Sequence, residues 1–251
     1  MTAANLLVRG DTAFLLTDSA AVDCLDGRLL AEGFKPSIFS EARLVMIWTG
    51  NGYGSETRDA ATAGRDRLHD AFASLGIDQR ATDQASILVA VPAALRLMHE
   101  ENVRHVGDCD DAHLNIMVAA SSDGAGAAYV ATSDPDAGLP PFELTRVACL
   151  NAAGRAGADE IKLIRSFGES PALADAARFN PWRDGFRLLN AQREACRAAG
   201  GWKAVGCKAY LTSVSPRGIT THLIGHWPDR KGVQLGSGIG ARLHAIRHQH
   251  A

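Results

Sequence analysis

The chain is 251 residues long, 46% hydrophobic and 22% charged, with a formal net charge of −2. That length suits one substantial domain or two small ones, and the near-balanced charge gives no electrostatic reason to expect nucleic acid or a membrane surface as partner. No apolar stretch approaches the roughly 20 residues of a membrane helix, and Arg9 and Asp11 interrupt the first apolar run, so the chain is expected in the cytoplasm.

Residues 5–8 and 13–17 read as two short strands joined by Arg9-Gly10-Asp11, a hairpin signal. A polar stretch containing Asp and Gly follows. Residues 37–39 and 44–49 form a second predicted hairpin around Ser40-Glu41-Ala42-Arg43, and its nearly continuous apolar run suits a strand covered on both faces. Gly50-Asn51-Gly52-Tyr53-Gly54 ends that run sharply. From residue 56 to about 75 the period turns helical, with Ala60, Leu68, Ala71 and Leu75 along one side and Ser55 as N-cap. A second helix is expected over 86–101.

Residues 114–119 and 127–131 read as a third hairpin around Ser121-Ser122-Asp123-Gly124, and 144–150 as a further strand. The Ala- and Gly-rich stretch 152–180 carries no assignable pattern. A helix follows over 184–199, marked by Phe186, Leu189, Ala191 and Cys196, and strands over 204–214 and 220–226 close the domain around Ser215-Pro216-Arg217-Gly218. Without repeat or linker, the sequence reads as one domain over 1–228 with a tail over 229–251. Strands in hairpins with helices between them predict an antiparallel α+β fold rather than βαβ units.

Thr2 stands behind the initiator methionine. It is small, so methionine aminopeptidase is expected to remove Met1, leaving a hydroxyl and a free α-amine on one residue. The amine's reference pKa of about 7.7–8.0 leaves a usable fraction unprotonated near neutral pH, so it can act as the base that activates the hydroxyl. Asp18-Ser19 follows at the end of the hairpin, then Lys35 and Gly50. Each has a plainer reading: Asp18 as the end of a strand at a turn, Lys35 as a solvated loop residue, Gly50 as a strand-to-helix turn. Their joint order favours chemistry.

The element order, with Thr2, the Thr2-to-Asp18 spacing, Lys35 before Ser37-Ile38-Phe39, and LVMIWTG ending at Gly50, resembles the N-terminal-nucleophile hydrolases of the proteasome β-subunit type. The helix at 184–199 and AVGCKAYLTSVSPRGI after it look like that family's last helix and its closing strands. The resemblance implies a four-layer αββα sandwich, two antiparallel sheets flanked by helices. It implies Thr2 as nucleophile, Lys35 depressing the terminal amine's pKa by like-charge repulsion, Asp18 orienting Lys35, and the Gly50 amide in the oxyanion hole. The implied substrate is a peptide or amide bond, the implied assembly a homo-oligomer, and the sequence carries no sign of whether an ATPase partner serves it.

This chain departs from the family pattern. Lys35 lies one residue further from Thr2, and Gly50 one further again. Pro36 follows Lys35 and suits only an edge or a strand start. Ala20 replaces an arginine, Asn151-Ala152-Ala153-Gly154 lacks the expected serine, and Arg197-Ala198-Ala199-Gly200-Gly201 offers neither the Asp nor the Ser that normally follows the last helix. The alternative reading is therefore a proteasome-like structural subunit without activity.

The remaining signals read as structural. Five cysteines, odd in number and without a C-x-x-C pair, argue against a disulfide framework or zinc knuckle, and Cys149 and Cys207 read as small buried hydrophobes. Gly236-Ser237-Gly238-Ile239-Gly240 reads as a flexible linker, Asp108-Cys109-Asp110-Asp111 as a solvated acidic loop, and the four tryptophans as core. His244 and His248 are expected in a frayed tail. No metal or cofactor is expected, and His226-Trp227-Pro228-Asp229-Arg230 receives no chemical role.

Overall fold

The computed structural model describes residues 3–22, 27–50, 60–78, 80, 82–107, 112–147, 149–152, 179–198 and 205–235. In chain order the strands and helices are β1 (Ala4–Arg9), β2 (Thr12–Asp18), β3 (Ala20–Val22), β4 (Leu29–Glu32), β5 (Ser37–Phe39), β6 (Leu44–Gly50), α1 (Ala60–Ser74) and α2 (Gln84–Val106). They continue with β7 (Leu114–Ser122), β8 (Ala125–Thr132), β9 (Thr145–Val147), β10 (Cys149–Ala152), α3 (Pro181–Ala198), β11 (Lys208–Ser215) and β12 (Gly218–His226).

Two five-stranded antiparallel sheets, ordered β10-β1-β2-β11-β12 and β5-β6-β7-β8-β9, stack face to face. Alternation along each strand gives every sheet two apolar faces. Leu6, Leu15 and Val214 of the first sheet meet Val45, Ile47, Met117 and Val130 of the second in the middle layer. The opposite face of the first sheet, Leu7, Leu16 and Leu211, is covered by Leu188 and Leu189 of α3. The outer face of the second, Met46, Ile116 and Val118, is covered by Leu68 and Phe72 of α1 and by Val91, Leu95 and Met98 of α2. The result is the four-layer αββα sandwich, with each buried aliphatic side chain stabilising it by about 1.5–3 kcal/mol. Among the described residues, no helix is long and apolar enough to cross a membrane.

Local chemistry explains the helix ends. Asp83 caps α2 by accepting from the Ser86 amide at 3.0 Å, and Gly107 at φ 79° closes it. Asn180 Oδ1 accepts from the Trp182 and Arg183 amides at the start of α3. One polar pair ties a helix to a strand and another ties two helices together. Asn5 and Gln192, both buried, exchange reciprocal amide bonds of 3.0 and 2.7 Å between β1 and α3. Arg67 of α1 donates to Glu101 Oε2 at 2.8 Å and to the Met98 carbonyl at 2.6 Å of α2 while standing 5.6 Å over the Trp48 ring of β6.

Several elements differ from the sequence expectation. The single strand expected over 144–150 is two: β9 pairs with β8 in the second sheet, and β10 crosses to pair with β1 in the first. The run from Leu144 to Leu150 contains no turn residue to reveal that its two halves belong to different sheets. The polar stretch after β2 holds the small β3–β4 ribbon, whose short strands lack a clear period. The helix expected over 86–101 extends to Gln84–Val106, carrying Pro92 inside it. Residues 51–59 and 153–178 lie outside the described residues, as do 236–251 of the expected tail. The first part of that tail, Asp229 to Leu235, runs alongside β4: the Leu29 amide donates to the Val233 carbonyl at 3.0 Å and Leu235 is buried.

The sheets approach closely at Gly126 of β8, where an added Cβ would lie 2.5 Å from the Thr12 carbonyl carbon and 2.8 Å from the Ala13 nitrogen, both backbone atoms. Gly126→Ala is therefore expected to destabilise the fold by about 1–3 kcal/mol. A lower urea midpoint at unchanged slope is the expected result; an unchanged midpoint would show that the interface yields freely.

Candidate functional site

Asp18 is the last residue of β2, and its side chain is fully buried. A buried carboxylate is stable only where donors replace its lost water. Here it has four. Oδ1 accepts from the Ala3 amide at 3.1 Å and from Lys35 Nζ at 2.8 Å, and Oδ2 accepts from the Ala20 and Gly206 amides, each at 3.1 Å. The Ala20 bond is a local Asx turn, so the plain reading of Asp-Ser as a strand ending holds. The other donors come from three distant segments. The carboxylate thus joins the entry to β1, the turn into β3, the β4–β5 connection and the approach to β11.

The lysine is held as firmly. Lys35 is about one-seventh exposed, at 14%, and its loop is gripped from the first sheet. The Gly33 amide donates to the Ser19 carbonyl at 3.0 Å, Phe34 packs edge-on against Tyr210 at 5.3 Å between ring centroids, and Glu32 meets Lys208 Nζ at 2.7 Å. The Glu32 carboxylate raises the Lys208 pKa, although this pair is well exposed and adds little stability. Ser19 is buried too, its Oγ accepting from the Lys208 amide at 2.8 Å. Pro36 is accommodated because the loop ends at Ser37, where the edge strand β5 begins.

The sequence-derived residues are thus distributed as follows. Asp18 and Lys35 are in direct contact across the two sheets. Thr2 lies outside the described residues; its chain neighbour Ala3 donates to the same carboxylate oxygen as Lys35. Gly50 ends β6 in the second sheet at φ 133°, paired with Leu114. An added Cβ there would lie 2.6 Å from the His113 carbonyl oxygen, so only glycine fits. Among the described residues Gly50 shares no hydrogen bond with Asp18 or Lys35.

Sequence reasoning missed the residues behind Gly206. Arg193 of α3 and Asp229 beyond β12 form a buried fork, Nη1 to Oδ2 at 2.8 Å and Nη2 to Oδ1 at 2.6 Å, with side chains 2% and 4% exposed. The available signal was the pair Gln192-Arg193, polar residues continuing the stripe of Leu188 and Leu189 on a helix whose apolar face is buried. Cys207 stands beside the fork, but burial first, and then the Asp229, Glu32 and Asp18 carboxylates, push its thiol pKa up to about 12. It is no nucleophile near neutral pH. Among the described residues, no group of three or more His, Cys, Asp or Glu side chains could hold a metal ion.

Compared with known protein families the chain matches none, and no curated protein is significantly similar to it.

The site makes a stability forecast. An amide in place of the carboxylate turns an NH₂ group toward N–H donors. Asp18→Asn is expected to cost about 3–5 kcal/mol, the usual effect of breaking a buried pair, and Lys35→Met less, because three amide donors still satisfy the carboxylate. Urea unfolding of both variants checks the order. A smaller loss in Asp18→Asn than in Lys35→Met would contradict it.

Proposed function

We propose that this chain is an N-terminal-threonine hydrolase of proteasome-like type, made in the cytoplasm and cleaving peptide or amide bonds as a homo-oligomer. The observation that supports it is the single carboxylate oxygen of Asp18 that accepts both the amide following Thr2 and the Lys35 ammonium, 3.1 and 2.8 Å away. A buried acid oriented by three backbone amides cannot swing, so it fixes the ammonium it pairs with. With Met1 removed, an ammonium near the new terminal amine favours that amine's neutral, basic form.

The chemistry follows in two halves. The Thr2 amine takes the hydroxyl proton as the oxygen attacks the substrate carbonyl, and returns it to the leaving amine as the C–N bond breaks, leaving an ester on Thr2. Water, deprotonated by the same amine, then hydrolyses the ester and regenerates the hydroxyl. The Gly50 amide is the proposed oxyanion donor, a kind of contact typically worth about 10²–10³ in rate.

Two measurements on one preparation test the reading. Intact-mass spectrometry is expected to show a chain lacking Met1, and incubation with a peptide epoxyketone, which bridges hydroxyl and terminal amine, is expected to add one inhibitor mass that Thr2→Ala abolishes. Retained Met1 rejects the mechanism. A trimmed chain without adduct favours the inactive structural subunit instead.

A further inference from the structure

We propose that Arg193 and Asp229 are positioning residues of this site: their fork grips the peptide units on both sides of Gly206 and so aims the Gly206 N–H at Asp18. Arg193 Nη1 donates to the Val205 carbonyl at 2.6 Å, and the Cys207 amide donates to Asp229 Oδ2 at 2.9 Å. Between these two anchors the Gly206 amide donates to Asp18 Oδ2 at 3.1 Å. Consecutive amides are thus held by two different buried carboxylates, one in the candidate site and one in the fork.

Backbone bonds hold the Gly206 and Cys207 carbonyls, the Ser19 amide donating to the Gly206 oxygen at 3.4 Å, and three observations say that the fork adds its own hold where the regular ladder has ended. β11 begins only at Lys208, after the gripped residues. Cys207 has φ 62°, a left-handed conformation that is strained for a non-glycine residue and persists only where its surroundings over-determine it. The fork fits so closely that a Cβ on Gly206 would lie 2.6 Å from Asp229 Oδ2 and 2.7 Å from Arg193 Nη1. Trp227 completes the enclosure. Its ring lies 5.3 Å from the Arg193 guanidinium carbon, and its amide donates to the Cys207 carbonyl at 2.7 Å. An ion pair this deeply buried gains little over apolar packing as a source of stability alone; what apolar residues could not do is accept from Cys207 and donate to Val205 at once.

The proposal rests on the catalytic reading above for its consequence, but its geometry is read without turnover. Amide hydrogen exchange by NMR on the full chain is the first arm. Gly206 is expected to exchange about tenfold faster in Asp229→Asn, more slowly than that in Arg193→Lys, which keeps the charge, and fastest in Arg193→Met. The Ala20 amide, bonded to the same Oδ2 from another segment, keeps its protection. The second arm is the rate of epoxyketone addition at Thr2, expected to fall about tenfold in Arg193→Met and to recover in part in Arg193→Lys. Unchanged Gly206 exchange, or equal loss of protection at Gly206 and Ala20, overturns the positioning role. If Arg193→Met or Asp229→Asn does not fold, Arg193→Lys carries the test. Absence of adduct in the unmodified chain refutes the catalytic reading alone, and the exchange arm still decides this one.

Discussion

The arrangement depends on one buried carboxylate. Asp18 sits where β2 ends, shielded from water, and its charge is tolerable only because four donors surround it. Three of those donors come from segments distant from it in sequence, so satisfying the carboxylate and assembling the site are one event. Removing water from such an ion costs several kcal/mol, and the bonds that offset the cost act only in the folded geometry. The two sheets are joined by apolar packing in their middle, and at this end by the ion pair from β2 to the loop before β5.

Much of the sandwich is legible in the sequence for physical reasons. Hairpins announce themselves through turns with short-range chemistry, such as Gly10 at φ 61° between β1 and β2 and Asp123-Gly124, both at positive φ, between β7 and β8. Strands covered on both faces read as unbroken apolar runs, as in β6. What is not legible is any feature decided by partners remote in the chain. The break between β9 and β10 leaves no local mark, because no Gly, Pro, Asn or Asp falls between them and only the sheet that receives each half differs.

The candidate site divides along the same line. Asp18 and Lys35 are found from their order and residue types, since a carboxylate at a strand end and a lysine before an edge strand are visible locally. Gly206, Arg193 and Asp229 are not, because their roles come from a fork closing over 36 residues of chain between Arg193 and Asp229. The stretch Trp227-Pro228-Asp229 carried no recognisable motif, yet it supplies the buried partner of α3's arginine. Polar residues on a buried helical stripe are the transferable clue: Gln192 answers Asn5, and Arg193 answers Asp229.

The chemistry turns on whether the fixed ammonium faces a free amine. An experimental structure of the chain trimmed of Met1 gives the distance from the Thr2 nitrogen to Lys35 Nζ directly. The expected distance is about 4–6 Å, the range in which one charge shifts its neighbour's protonation. A separation beyond roughly 10 Å, a full Debye length at ordinary salt, would leave Asp18 and Lys35 as a structural pair with no part in activating Thr2.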